Sequence, residues 1–84
     1  MDAKNIRRLK KEAQALEVTL HVGKAGVTEE VATELIRQLK KSGLVKVRLQ
    51  PSVEMDRAEA GRELARASSS TLVEVRGRTA VLSR

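Results

Sequence analysis

The chain has 84 residues, no cysteine, one histidine and no aromatic residue, and its 17 Lys and Arg against 11 Asp and Glu give a formal net charge of +6. That length holds one small domain over residues 1–84, which neither disulfides nor a His/Cys zinc site can brace, so aliphatic burial must hold it together. The missing aromatics exclude base stacking of the kind used by RRM sheets and OB grooves, while a pI near 10.3 makes a polyanion the first partner to consider.

The charge is uneven. Residues 1–48 hold eleven basic and six acidic side chains, and residues 49–84 hold six and five, so a polyanion is expected to meet mainly the first half. No apolar run approaches the ~20 residues of a membrane span, and the expectation is a soluble cytoplasmic protein with no membrane partner.

Ile6, Leu9, Ala13 and Leu16 recur at spacings of three and four, which predicts an amphipathic helix over residues 4–16. Its other faces carry Lys4, Arg7, Arg8, Lys10 and Lys11 with no acid between Ala3 and Lys11. A merely solvated face tends to mix signs for i,i+4 pairing, so this strip is a candidate contact for a polyanion. Val18, Leu20 and Val22 alternate with Thr19 and His21 as in a half-buried strand. Gly23-Lys24-Ala25-Gly26 then forms a turn, and Thr28 caps a second helix whose first turn holds Glu29 and Glu30.

Val31, Leu35 and Leu39 give that helix its apolar face, and Gly43 ends it. Arg37, Lys40 and Lys41 lie near its C-terminus, where compensation of the helix dipole is a sufficient cause for them; Arg37 and Lys41 are also candidate contacts for a polyanion. In the next strand, Leu44 to Gln50, Val45, Val47 and Leu49 point one way while Lys46 and Arg48 point to the other sheet face, together with Thr19 and His21, where the two cations are further candidate contacts for a polyanion or merely solubilise the face. Asp56 and Glu59 read as a capping box for a third helix with a small-residue face made by Ala60, Gly61, Leu64, Ala65 and Ala67. Ser68, Ser69 and Ser70 read as a polar linker, and residues 71–76 and 79–83 as two strands joined by the tight turn Gly77-Arg78.

The resulting order is αβαβαββ. Strands separated by helices need crossovers and the last pair is a hairpin, so the fold class is α/β of the α+β kind: a four-stranded mixed sheet with helices mostly on one face. Strand order does not follow from the pattern.

The segment Val22-Gly23-Lys24-Ala25-Gly26-Val27-Thr28 before a helix, then Gly43-Leu44-Val45-Lys46-Val47, Asp56-Arg57 and Gly77-Arg78-Thr79-Ala80-Val81-Leu82, resembles the CRM domain, also called the YhbY family, from Ile6 to Arg84. The resemblance implies an RNA-binding domain with a fold similar to the C-terminal domain of bacterial initiation factor three. It also implies that Gly23, Lys24, Ala25 and Gly26 form the family's GxxG loop, which approaches the RNA backbone. Bacterial stand-alone members associate with precursors of the large ribosomal subunit, so ribosomal RNA or a pre-ribosomal particle is the implied partner.

The amides of a glycine turn can approach a phosphate unobstructed, and Lys24 adds a cation there; the bland alternative is a strand-to-helix turn. The lone His21 has no nucleophile in a recognisable motif, so neither an enzyme, a metal, a cofactor nor a small-molecule substrate is expected, and the protein is read as a monomer. The rival reading is a protein adaptor whose basic strip docks an acidic ribosomal or RNA-processing partner.

Overall fold

The computed structural model of the chain describes residues 3–84. In order these form α1 (Ala3–Ala13), β1 (Leu20–Val22), α2 (Glu29–Ser42), β2 (Leu44–Leu49), α3 (Arg57–Ser68), β3 (Thr71–Arg76) and β4 (Thr79–Ser83). The αβαβαββ order agrees with the sequence reading. The four strands make one mixed sheet in the order β1-β2-β4-β3: β1 runs parallel to β2, and β4 lies antiparallel between β2 and β3.

Strand alternation divides the apolar side chains between two layers. Val22, Val45, Val47, Leu49, Ala80 and Leu82 face Leu35 and Leu39 of α2 and Ala60 and Leu64 of α3, making the main core. On the opposite face, Val73 and Val81 pack with Ala13 of α1, flanked by Ile6, Leu9 and Leu44. Two helices therefore cover one face, and α1 covers part of the other. Thr19 does not lie on that second face as its alternation predicts. It precedes the edge strand and turns toward α2, where its carbonyl accepts from Gln38 Nε2 at 3.0 Å and its Oγ1 lies 2.5 Å from Gln38 Oε1.

α1 stops three residues earlier than its apolar periodicity suggests. Gln14, Ala15 and Leu16 donate instead to carbonyls three residues back, and Leu16 turns out to solvent, 36% exposed. Thr28 caps α2 as expected, accepting from the Val31 amide at 3.2 Å. Asp56 caps α3 by accepting from Ala58 N at 3.1 Å, but no bond from Glu59 completes a capping box among the described residues, and Ala67 is exposed rather than packed.

A β-bulge in β3 shifts the register between Leu72 and Glu74. The extra residue lets Leu72 and Val75, three apart, both reach the main core, while Val73 joins the second one.

The three serines are an ordered helix terminus rather than a slack linker. Ser68 Oγ donates to Leu64 O at 2.7 Å, Ser69 donates its amide to Arg66 O and Ala65 O, and Ser70 N donates to Ala65 O at 2.9 Å. Ser69 holds this geometry in left-handed backbone, φ 53° and ψ 43°. A side chain there costs about 1 kcal/mol, and glycine is the residue that helices favour at this position. Ser69→Gly is therefore expected to stabilise the fold by up to about 1 kcal/mol, read as a melting temperature a few degrees higher. A melting temperature at or below that of the parent would refute the strain.

Candidate nucleic-acid interface

The Gly23–Gly26 loop leaves β1 at the end of the sheet where β2 also ends and where the β3–β4 hairpin turns. Gln50 N donates to Val22 O at 2.9 Å, and Leu49 N donates to Arg78 O at 2.7 Å, tying the three turns together. The loop itself is a β-turn closed by Gly26 N donating to Gly23 O at 2.9 Å, followed by Thr28 N donating to Gly26 O at 3.1 Å. The amides of Lys24 and Ala25 between them have no acceptor among the described residues, and both side chains are exposed. Two free N–H groups and one ammonium can meet an anionic oxygen there. Thr28 and the exposed Glu29 and Glu30 already occupy the tip of α2, so the loop amides and not the helix terminus are what is open to a phosphate.

The two glycines of the loop differ. Gly26 stands at φ +75°, a conformation that glycine takes without strain. Gly23 has no positive φ, and a Cβ built on it would meet nothing within 4 Å. Elsewhere Gly43 and Gly77 also have positive φ, and Gly61 is closely packed, so Gly23 alone has neither backbone nor packing to account for it.

The α1 strip is displayed as the periodicity predicts. Ile6, Leu9 and Ala13 face the sheet, so Lys4, Arg7, Arg8 and Lys11 project from the far side of the helix, all exposed. No ion pair among the described residues involves any of them, and Arg8 donates to Asn5 Oδ1 at 3.0 Å. Lys4 stands in the first turn, where the helix dipole opposes a cation, so dipole compensation does not explain it.

The remaining candidates are dispersed. Arg37 and Lys41 lie along the second half of α2, about 12 and 18 Å from its first residue at the loop end, at about 1.5 Å per residue. Arg37 pairs with Glu34; its Nε donates to Glu34 Oε1 at 3.0 Å and, with the Gln38 amide at 2.9 Å, holds the Glu34 carboxyl down at about 2. Lys46 is half-buried beneath the end of α1, where its Nζ donates to Ala13 O at 3.2 Å and Leu16 O at 3.4 Å. It ties down carbonyls at the C-terminal end of the helix, where Ala13 O also accepts from Leu16 N, a local duty that single-strand alternation does not reveal. Arg48 is exposed, beside His21, whose Nδ1 accepts from Gln50 Nε2 at 2.8 Å.

The CRS1/YhbY (CRM) domain family model matches residues 1–84. The chain belongs to the CRM domain family. A protein of Methanocaldococcus jannaschii described as a probable RNA-binding protein is 38% identical over 80 residues, covering 93% of this chain. The chain spans 59% of that relative's length. The solution structure of the hypothetical protein SAV1595 from Staphylococcus aureus, described as a candidate RNA-binding protein, superposes with a TM-score of 0.86 at 27% identity, covering all of this chain and 88% of that one. The CRM fold thus extends over the whole described chain, with the glycine loop, the α1 strip and Arg48 among its exposed basic features and Lys46 turned inward.

Proposed function

We propose that this CRM domain binds RNA through the Gly23–Gly26 loop, with Lys24 and the free loop amides on the backbone phosphates and the α1 strip of Lys4, Arg7, Arg8 and Lys11 as a second set of contacts. The observation that carries the reading is Gly23: the fold has no use for a missing side chain there, whereas close approach of a ligand backbone does. The M. jannaschii and S. aureus relatives, each described as an RNA binder, support the same partner. The net charge of +6 and the absence of aromatics fit phosphate contacts rather than base stacking.

The target we propose is ribosomal RNA in precursors of the large subunit, in keeping with the resemblance to bacterial stand-alone members. In this role the domain acts as a cytoplasmic, monomeric, non-enzymatic binder. Arg37 and Lys46 contribute less than their charge suggests, because each is already engaged within the fold. Lys41 and Arg48 remain as outlying contacts.

Gly23→Ala tests the proposal without disturbing charge. Its folded-state cost is small, so stability is expected within about 0.5 kcal/mol of the parent, or slightly above it through the unfolded chain. Affinity for a labelled oligoribonucleotide is expected to fall several-fold. If both melting temperature and RNA affinity match the parent, Gly23–Gly26 is a turn and nothing more.

A further inference from the structure

Strand order brings together residues that lie far apart in the chain. His21 is in register with Arg48, Arg48 with Thr79, and Thr79 with Arg76, so these four form one row straight across the sheet. Residues in register share a face, and this is the face that α1 only partly covers. One pleat step back, Lys46, Val81 and Glu74 form the parallel row that lies under the end of α1. Between the two rows is a notch of about 110 Å³, floored by Ala13 and Val81 and walled by Gln14, Lys46, Arg76 and Thr79, with Glu74 at its side. The front row is open; His21, Arg48 and Arg76 are exposed, and so is Arg78 in the turn that follows Arg76.

Glu74 is the one acidic residue in the four strands. It makes no ion pair with Lys46 or Arg76, and Arg48, Arg76 and Arg78 have neither an ion pair nor a side-chain hydrogen bond among the described residues. Arg48 and Arg76 stand two strand spacings apart, about 10 Å, which is within the range of their mutual repulsion. The fold gains nothing visible from gathering these unpaired guanidinium groups. The whole row spans about 14 Å, from the strand that feeds the glycine loop to the strand beside the end of α1.

We propose that Arg48, Arg76 and Arg78 form a phosphate track on the open half of the sheet, along which an RNA strand runs from the Gly23–Gly26 loop toward the C-terminal end of α1. This rests on the RNA-binding reading and adds to it a surface that neither the loop nor the helix strip supplies. Guanidinium groups suit the task because each offers several donors in a planar fork to phosphate oxygens. With contacts to the backbone alone, the track is indifferent to base sequence.

The test uses the full chain and fluorescent oligouridylate and oligoadenylate, titrated over a range of KCl concentrations. The triple variant Arg48→Gln, Arg76→Gln, Arg78→Gln is expected to bind both roughly tenfold more weakly and to lose about 2 from the log-log salt slope, at about 0.7 per phosphate contact. The corresponding triple lysine variant is expected to keep most of the slope. If the glutamine variant melts below the parent, Arg78→Gln alone is used, since its side chain stands on an exposed turn; a slope loss of about 0.7 is then expected. An unchanged slope and affinity in a stably folded variant overturns the track, while a Gly23→Ala variant that still weakens binding leaves the loop reading intact. Polyglutamate is titrated alongside as an acidic-protein probe; a glutamine variant that loses polyglutamate binding but retains RNA binding also overturns the track, in favour of an acidic protein surface. A parent protein that binds neither oligonucleotide removes the RNA reading and the track with it.

Discussion

Replacing Gly61 by valine is expected to destabilise the domain by about 3 kcal/mol. Gly61 is buried in α3 where the helix crosses β3, and a Cβ on it would stand 2.8 Å from Val75 Cγ2 and 3.1 and 3.2 Å from the two Cδ atoms of Leu72. Those partners are half-buried and packed against the main core, which limits how far they can retreat. Two further methyl groups must then lift α3 from the sheet or force side chains off their rotamers, at the upper end of the usual overpacking range of about 1–3 kcal/mol. Gly61→Ala is the informative companion: it recovers about 1 kcal/mol of helix propensity against a 2.8 Å contact that forces Val75 to shift, while Leu72 need give only by a few tenths of an ångström. Chemical denaturation of both variants checks the pair. A valine variant as stable as the parent would mean that α3 does not lie as close to β3 as described.

Within the glycine loop, RNA affinity is expected to respond most strongly to added negative charge. Lys24→Asp combined with Ala25→Asp removes a cation and adds two carboxylates where the free amides point outward, while Gly23 and Gly26 keep the turn. Both side chains are exposed, so the fold is expected to survive with an unchanged melting temperature. RNA affinity is expected to fall at least several-fold, equivalent to about 1 kcal/mol or more, by comparison with charge-assisted hydrogen bonds lost at a contact. Isotherms at matched stability decide it. Parental affinity in the double variant would move the RNA surface to α1 or the open sheet.

These two sites differ in how far the linear chain discloses them. The loop is visible as two glycines three apart between an alternating segment and a capped helix, which is local information. Gly61 is visible only as one small residue on a helix face, because its use depends on Val75 and Leu72, and their shared orientation depends on the bulge between Leu72 and Glu74. Net charge by halves likewise conceals local grouping. Residues 49–84 are nearly neutral because the acids of the third helix and its approach offset their arginines, yet Arg76 and Arg78 belong to a hairpin with Glu74 as its one acid. Lys46 shows the opposite case: it alternates with core residues as a surface cation would, but the end of α1 closes over it.

The seven elements, their order, the capping of α2 by Thr28 and the outward strip on α1 follow from the residues themselves, since periodicity, caps and glycine turns act within a few positions along the chain. The order β1-β2-β4-β3 does not, because strand neighbours are chosen by which apolar faces can be buried together. That choice places β4 between β2 and β3, sets Arg48 and Arg76 on either side of Thr79, and leaves α1 covering only part of the second face. A basic surface can be counted in a sequence, but its shape belongs to the pairing of the strands.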